Sequence, residues 1–67
     1  MSVSALAELL KETGEHHDAV EKAAAAHDWW DWYAPYLDAR QHGKAPEEAE
    51  AVADLHLKDV RGVVVPR

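Results

Sequence analysis

Apolar residues recur along the first third of the chain at spacings of three and four. Leu6, Leu9, Leu10, Thr13, His17, Val20 and Ala24 fall on one stripe, the period of an amphipathic helix rather than of a strand. The stripe predicts a helix over about 4–25. Gly14 lies inside it and costs about 1 kcal/mol relative to alanine. The stripe keeps its phase across the glycine, so one continuous helix is expected. The alanine run 23–26 favours helix and leaves room for a second backbone to come close.

The pattern predicts a second helix over about 29–42, with Asp28 as its N-cap and Asp31 three positions on. Gly43 supplies the residue that commonly ends a helix in the left-handed conformation. On a helical wheel Trp29, Tyr33, Tyr36, Leu37 and the stem of Arg40 form the inner face, with Trp30 and Trp32 flanking it. Pro35 conflicts with this, because a proline in a helix interior removes a hydrogen bond and costs about 3 kcal/mol. The segment is therefore expected to kink there, or to begin its regular helix at Pro35. A third helix over about 46–60 opens with Pro46 at its first position and Glu47 and Glu48 in its first turn. Ala49, Val52, Ala53, His56 and Val60 share its apolar face, with Leu57 beside it. The tail, 62–67, contains Val63, Val64 and Val65, which have strand propensity but no strand to pair with. It is expected to pack as an arm or to make contacts between chains. The fold class is all-α: one domain, 1–67, forming a small three-helix bundle with a kinked or split middle region and an extended C-terminal arm. The expected core joins Trp29, Tyr33 and Leu37 to Leu6, Leu10 and Val20.

A chain of 67 residues buries only about 60% of the surface it exposes when unfolded. Domains of this size usually add a disulfide, a metal or a partner subunit. With no cysteine, disulfides are excluded and a reducing compartment is compatible. Thirteen acidic against seven basic residues, a net charge of −6, disfavour nucleic acid and anionic membrane surfaces. No secretory leader or apolar run long enough to span a bilayer is apparent, so the expected location is the cytoplasm.

The inventory for catalysis is thin. Outside the tyrosines the hydroxyls are Ser2, Ser4 and Thr13, and Gly14, Gly43 and Gly62 form no phosphate loop. No catalytic residue is assigned, and an enzyme is the less favoured reading. Among the five histidines, the i,i+4 pairs Glu12–His16 and His17–Glu21 are weak metal candidates. Each gives two ligands where a stable zinc site takes three or four. Neither a metal nor another cofactor is therefore expected. The string His27-Asp28-Trp29-Trp30-Asp31-Trp32-Tyr33, extended by Tyr36, is the least ordinary part of the sequence. Large aromatics build cores and interfaces efficiently, and they also line pockets.

The strings Glu15-His16-His17-Asp18, His27 to Tyr33, Tyr36-Leu37-Asp38-Ala39-Arg40 and Pro46-Glu47-Glu48-Ala49, spread over 9–57, resemble a short helical bacterial module of unknown function. Such modules occur alone or beside glyoxalase/bleomycin-resistance-like (vicinal oxygen chelate) domains. The resemblance transfers no catalytic residue, and the metal-chelating β-α-β-β-β unit of those domains is absent from this chain. A fainter similarity, carried by no particular motif, is to the small helical subunit of extradiol aromatic-ring dioxygenases, which caps an active site in another chain.

Two functions follow as expectations. The first is a non-enzymatic interaction module that pairs with itself, most simply as a homodimer, or with a partner protein. Its surface would be Trp30 or Trp32 with the arm Val63, Val64 and Val65. The second is an accessory domain whose Trp29, Trp30, Trp32, Tyr33 and Tyr36 line a pocket for a small apolar or aromatic compound, with His17, His27 and Asp28 at the polar rim.

Overall fold

The computed structural model describes residues 2–66 and forms three α-helices: α1 (Val3–Ala23), α2 (Trp30–Gln41) and α3 (Pro46–Arg61). No strand occurs among the described residues. The fold is an all-α three-helix bundle. Ser2 caps α1, its side-chain oxygen accepting the Ala5 N–H at 3.1 Å. The helix runs unbroken through Gly14. Its missing Cβ has a use here, because a Cβ at that position would lie 2.9 Å from the Tyr33 hydroxyl. The alanine run does not extend the helix: Ala24 is already in extended conformation.

The start of α2 differs from expectation. Trp29, not Asp28, holds the N-cap position, and it makes no side-chain cap bond. Backbone bonds close the first turn instead: the Asp31 N–H donates to the Asp28 carbonyl at 3.2 Å, and the Trp32 and Tyr33 N–H groups donate to the Trp29 carbonyl at 3.2 and 3.0 Å. The helix also continues through Pro35 rather than splitting there. Pro35 cannot donate to the Asp31 carbonyl one turn back, yet Trp32 and Tyr36, on either side of it, are fully buried and pin both halves to the neighbouring helices. Gly43, at φ 87°, ends α2 as expected. Its N–H reaches the Arg40 carbonyl at 3.1 Å and that of Lys44 reaches Ala39 at 3.0 Å, the paired bonds of a Schellman motif. α3 starts at Pro46 and stops at Gly62, φ 68°.

The core is Val20, Trp32, Tyr36, Ala39, Ala49, Ala53 and Leu57, with Ala24, Val63 and Val65 packed against it. Of the six residues expected to share a core, only Val20 is fully buried. Leu6, Leu10 and Trp29 are exposed, and Tyr33 and Leu37 are half-buried. The inner face of α2 is Trp32–Tyr36–Ala39, and that of α3 is Ala49–Ala53–Leu57, leaving Val52 and Val60 exposed and His56 half-buried. Both corrections have one cause. Close packing sets large side chains against small ones, and the alanines spaced by four on α3 form a trough that admits an indole and a phenol. The polar tips then need partners. The Trp32 indole N–H donates to Asp54 at 2.9 Å, and the Tyr36 hydroxyl donates to Glu12 at 2.8 Å.

The arm turns inward in alternation, Val63 and Val65 half-buried and Val64 exposed, as an extended segment does on an apolar surface. Two of the three valines expected between chains are thus engaged within the chain.

Candidate functional site

The aromatic string is divided by helical period. Trp32 and Tyr36, one turn apart, face inward and stack with ring centres 5.1 Å apart. Trp29 and Tyr33, also one turn apart, lie on the other side and meet edge to face at 4.9 Å. Trp29 also meets Trp30 edge to face at 5.4 Å. Trp32 is 0% exposed, whereas Trp29 and Trp30 are 55% and 51% exposed. Trp32 and Tyr36 are therefore core residues, and neither is available to a partner or ligand. The accessible candidates are Trp29, Trp30, Tyr33, Asp28, His27 and, on the arm, Val64.

These outer aromatics join an apolar strip on α1. Glu12 meets Arg40 and Tyr36, while His17 meets Trp32 and Tyr33, so α1 and α2 run antiparallel. α1 has 21 residues and α2 has 12. At about 1.5 Å per residue α2 cannot cover α1. The last turn of α2 meets α1 at Glu12, and every residue from Ser2 to Glu8 is exposed. Leu6 lies on this overhang, and Leu10, one turn further along the same helix face, is exposed as well. Leu10, Gly14, His17, Asp18, Glu21, Trp29 and Tyr33 line an open cleft of about 420 Å³.

Beneath this band the polar groups are arranged to hold the fold. Arg40 donates to both Glu12 oxygens, at 2.8 and 3.2 Å, a bidentate pair. The hydrogen bond from Arg40 holds the Glu12 carboxyl below the ordinary carboxylate value. The same contact raises Arg40, and burial, followed by the bond to Glu12, raises the Tyr36 phenol. His16 donates to Glu50 at 2.6 Å, tying α1 to α3, and Arg61 donates to Asp31 at 3.0 Å, tying α3 to α2.

His17 and His27 form a second feature. His17 is 5% exposed and sits against Trp32 and Tyr33, with ring centres 5.5 and 5.2 Å away. Its Nε2 lies 3.0 Å from the Nε2 of His27, and the His27 Nδ1 lies 2.8 Å from the Ala25 carbonyl. Burial, and then the charge His27 can carry, lower the His17 pKa below its ordinary value. The weak metal pair Glu12–His16 is not brought together: Glu12 is held by Arg40 and Tyr36, and His16 by Glu50. No group of three or more His, Asp or Glu converges among the described residues, and no described helix is long and apolar enough to cross a membrane.

His17 and His27, expected together at the polar rim of a pocket, do come together, but as a direct ring-to-ring contact that the sequence reading missed. Its sequence signal, two histidines ten positions apart across a helix end, is too weak to use without the extended Ala24 that turns the chain back. No family model, curated relative or solved structure matches the chain.

Proposed function

We propose that the chain is a non-enzymatic helical module that pairs with a second copy of itself, through the band Leu6–Leu10–Tyr33–Trp29–Trp30. The observation that carries this is the length mismatch of α1 and α2, which leaves an aliphatic overhang at one end of the band and two exposed tryptophans at the other. An antiparallel two-fold pair lays the overhang of each copy on the tryptophans of the other, the self-complementarity that a symmetric dimer requires. It also brings Lys11 of each copy toward the acidic Asp18–Glu21 end of the other.

The fold does not need the partner for compactness. The surface of 4359 Å² is close to the roughly 4,200 Å² that a monomer of this mass presents. The exposed apolar groups are thus surplus to folding, and large exposed patches of that kind mark contacts. A standard interface takes about 800 Å² from each copy, an area the band and its flanks can supply. A cytoplasmic setting fits a cysteine-free chain. A helical module resembling those beside glyoxalase-like domains fits an accessory role, with the same band as its contact.

The test is molar mass by sedimentation equilibrium over a dilution series. The proposal expects twice the chain mass of 7.5 kDa at high concentration and dissociation on dilution. Trp30→Ala should weaken assembly by about 2 kcal/mol, as tryptophan hot spots do. A mass of one chain at all concentrations refutes pairing.

A further inference from the structure

We propose that the contact between His17 and His27 is an acid-sensitive latch: added protons force the two rings apart, free the link that carries Trp29, and weaken pairing through the outer band. The last step rests on the pairing proposed above, whereas the latch itself belongs to one chain. The hydrogen positions follow from the partners. The Ala25 carbonyl, 2.8 Å from Nδ1 of His27, can only accept, so Nδ1 carries the hydrogen. The Nε2 of that neutral ring is then the acceptor, and the Nε2 of His17, 3.0 Å away, donates to it. The neutral pair thus carries one hydrogen on each ring, and one of these lies between them. A third ring hydrogen still leaves one Nε2 lone pair to accept, and the bond survives. A fourth puts a hydrogen on both Nε2 atoms, so no acceptor remains and two positive rings face each other.

The surroundings compensate added charge poorly. His17 is 5% exposed and lies against the rings of Trp32 and Tyr33 on α2, with Asp18 and Glu21 on its own helix. His27 shares a hollow with Asp28 of the link, Asp31 of α2 and Arg61 of α3, and Asp31 is already bonded to Arg61 at 3.0 Å. Among the described residues neither ring enters an ion pair with any of these carboxylates. Burial, and then the charge His27 can carry, hold the His17 ring below its ordinary value of 6.5. The folded state therefore favours the neutral ring. That contribution is full above about pH 6.5 and is lost as the pH falls through that value toward the lowered one.

The latch holds a part of the chain that has little else to hold it. The link, 24–29, lies outside the helices, and Ala25, Ala26, Asp28 and Trp29 are exposed. One end is tied by the Ala24 N–H, which donates to the Val20 carbonyl at 2.8 Å, and the other by the Trp29 carbonyl, which accepts from Trp32 and Tyr33. Between these ends the His27 ring reaches back to α1. Trp29 follows two residues later and lines one cavity of about 350 Å³ with His17, Glu21 and His27. Parting the rings therefore loosens Trp29 from α1 and alters the face that the band presents. Trp32 and Tyr36, buried against α3, stay in place.

The experiment has two arms, both on the full chain. In the first, the NOE between the His17 and His27 rings is followed by NMR from pH 8 to pH 4.5 in dilute Trp30→Ala protein, so that pairing does not contribute. The proposal expects that NOE, and the NOEs from Trp29 to α1, at pH 8 and their loss by pH 4.5, while the Trp32–Tyr36 NOEs persist. In the second, sedimentation equilibrium gives the Kd of pairing at pH 7.5 and 5.5. It should rise at least about tenfold, the change that one proton taken up on dissociation gives over one pH unit. The rise should shrink in His27→Gln, whose site is half-buried and outside the helices, and should be unchanged in His42→Gln. A His17–His27 NOE that survives to pH 4.5 overturns the latch, and an equal rise in His27→Gln overturns its control of pairing. A chain that is monomeric at both pH values refutes pairing, and the NOE series then decides the latch alone.

Discussion

The α2–α3 seam and the outer α1–α2 seam draw on one aromatic string and end in opposite states. Against α3, Trp32 and Tyr36 fall into a trough of Ala49, Ala53 and the side chain of Leu57, and all five are buried completely. Against α1, Trp29 and Tyr33 share an open cleft with Gly14, Asp18 and Glu21, with Trp29 exposed and Tyr33 half-buried. The closed seam has small residues on one side, large ones on the other, and an acceptor for each polar tip. The open seam has large residues on α2 and, on α1, leucines displaced toward an uncovered end. Aromatic content alone therefore says little about where a core lies. What decides it is whether the facing helix is small enough to receive a ring and whether a neighbouring helix bonds its tip, Asp54 of α3 for Trp32 and Glu12 of α1 for Tyr36.

Replacing one tryptophan on each seam gives the largest contrast. Trp32→Ala should cost about 3–5 kcal/mol, most of what a domain of this size possesses. Trp30→Ala should shift monomer stability by no more than about 0.5 kcal/mol, as surface substitutions do. Urea unfolding of dilute protein checks both, and equal losses would erase the distinction between the seams.

The alanine trough gives the next effect. Ala53→Leu forces a larger side chain against Trp32 and Tyr36 and should cost about 1–3 kcal/mol. Val52→Leu, one position away on the exposed face, should be close to neutral. Thermal melting of the pair locates the buried face of α3 to a single residue.

A smaller effect is expected at Glu12. Its carboxyl is held below its ordinary value of 4.5, chiefly by the hydrogen bond from Arg40. The folded state thus favours the ionised form. Its contribution is present in full above about pH 4.5 and is lost as pH falls through that value toward the lowered one. Glu12→Gln should cost about 1 kcal/mol at pH 7, since the pair is partly solvated, and the difference from the parent chain should shrink below pH 4.5. A constant difference across the acid range would remove Glu12 as the source.

Gly14→Ala is the smallest. An unencumbered helix site gains about 1 kcal/mol from this change. Here the new methyl meets the Tyr33 hydroxyl and must push the ring outward, so the gain should be largely offset. The Tyr33 ring resonances should shift while those of Tyr36 do not.

Three helices, the uninterrupted path through Gly14 and the stop at Gly43 were legible in the sequence, because they depend on local period and on conformations that glycine supplies. The phases of α2 and α3 were not. Hydrophobicity ranks Trp29 with Trp32 and Val52 above Ala53, while packing prefers Trp32 against Ala53 because the shapes fit. Asp28 looked like a cap because its side chain suits one, yet backbone bonds to Asp28 and Trp29 close that turn unaided. The His17–His27 pair depends on how the chain reverses after Ala23, which no local pattern specifies. The metal candidates Glu12 and His16 were separated by partners on other helices, Arg40 and Glu50.

The central claim is that the open seam of one copy closes on the overhang of another. The most direct test is an isotope-filtered NOE experiment on a mixed sample, one copy ¹³C-labelled and the other unlabelled, at a concentration where the chain is paired. The account predicts intermolecular NOEs from the Leu6 and Leu10 methyls to the Trp29 and Trp30 indole rings. Intermolecular NOEs that join other surfaces, such as Val64 or Leu55, and leave the Leu6–Trp30 band silent would contradict it.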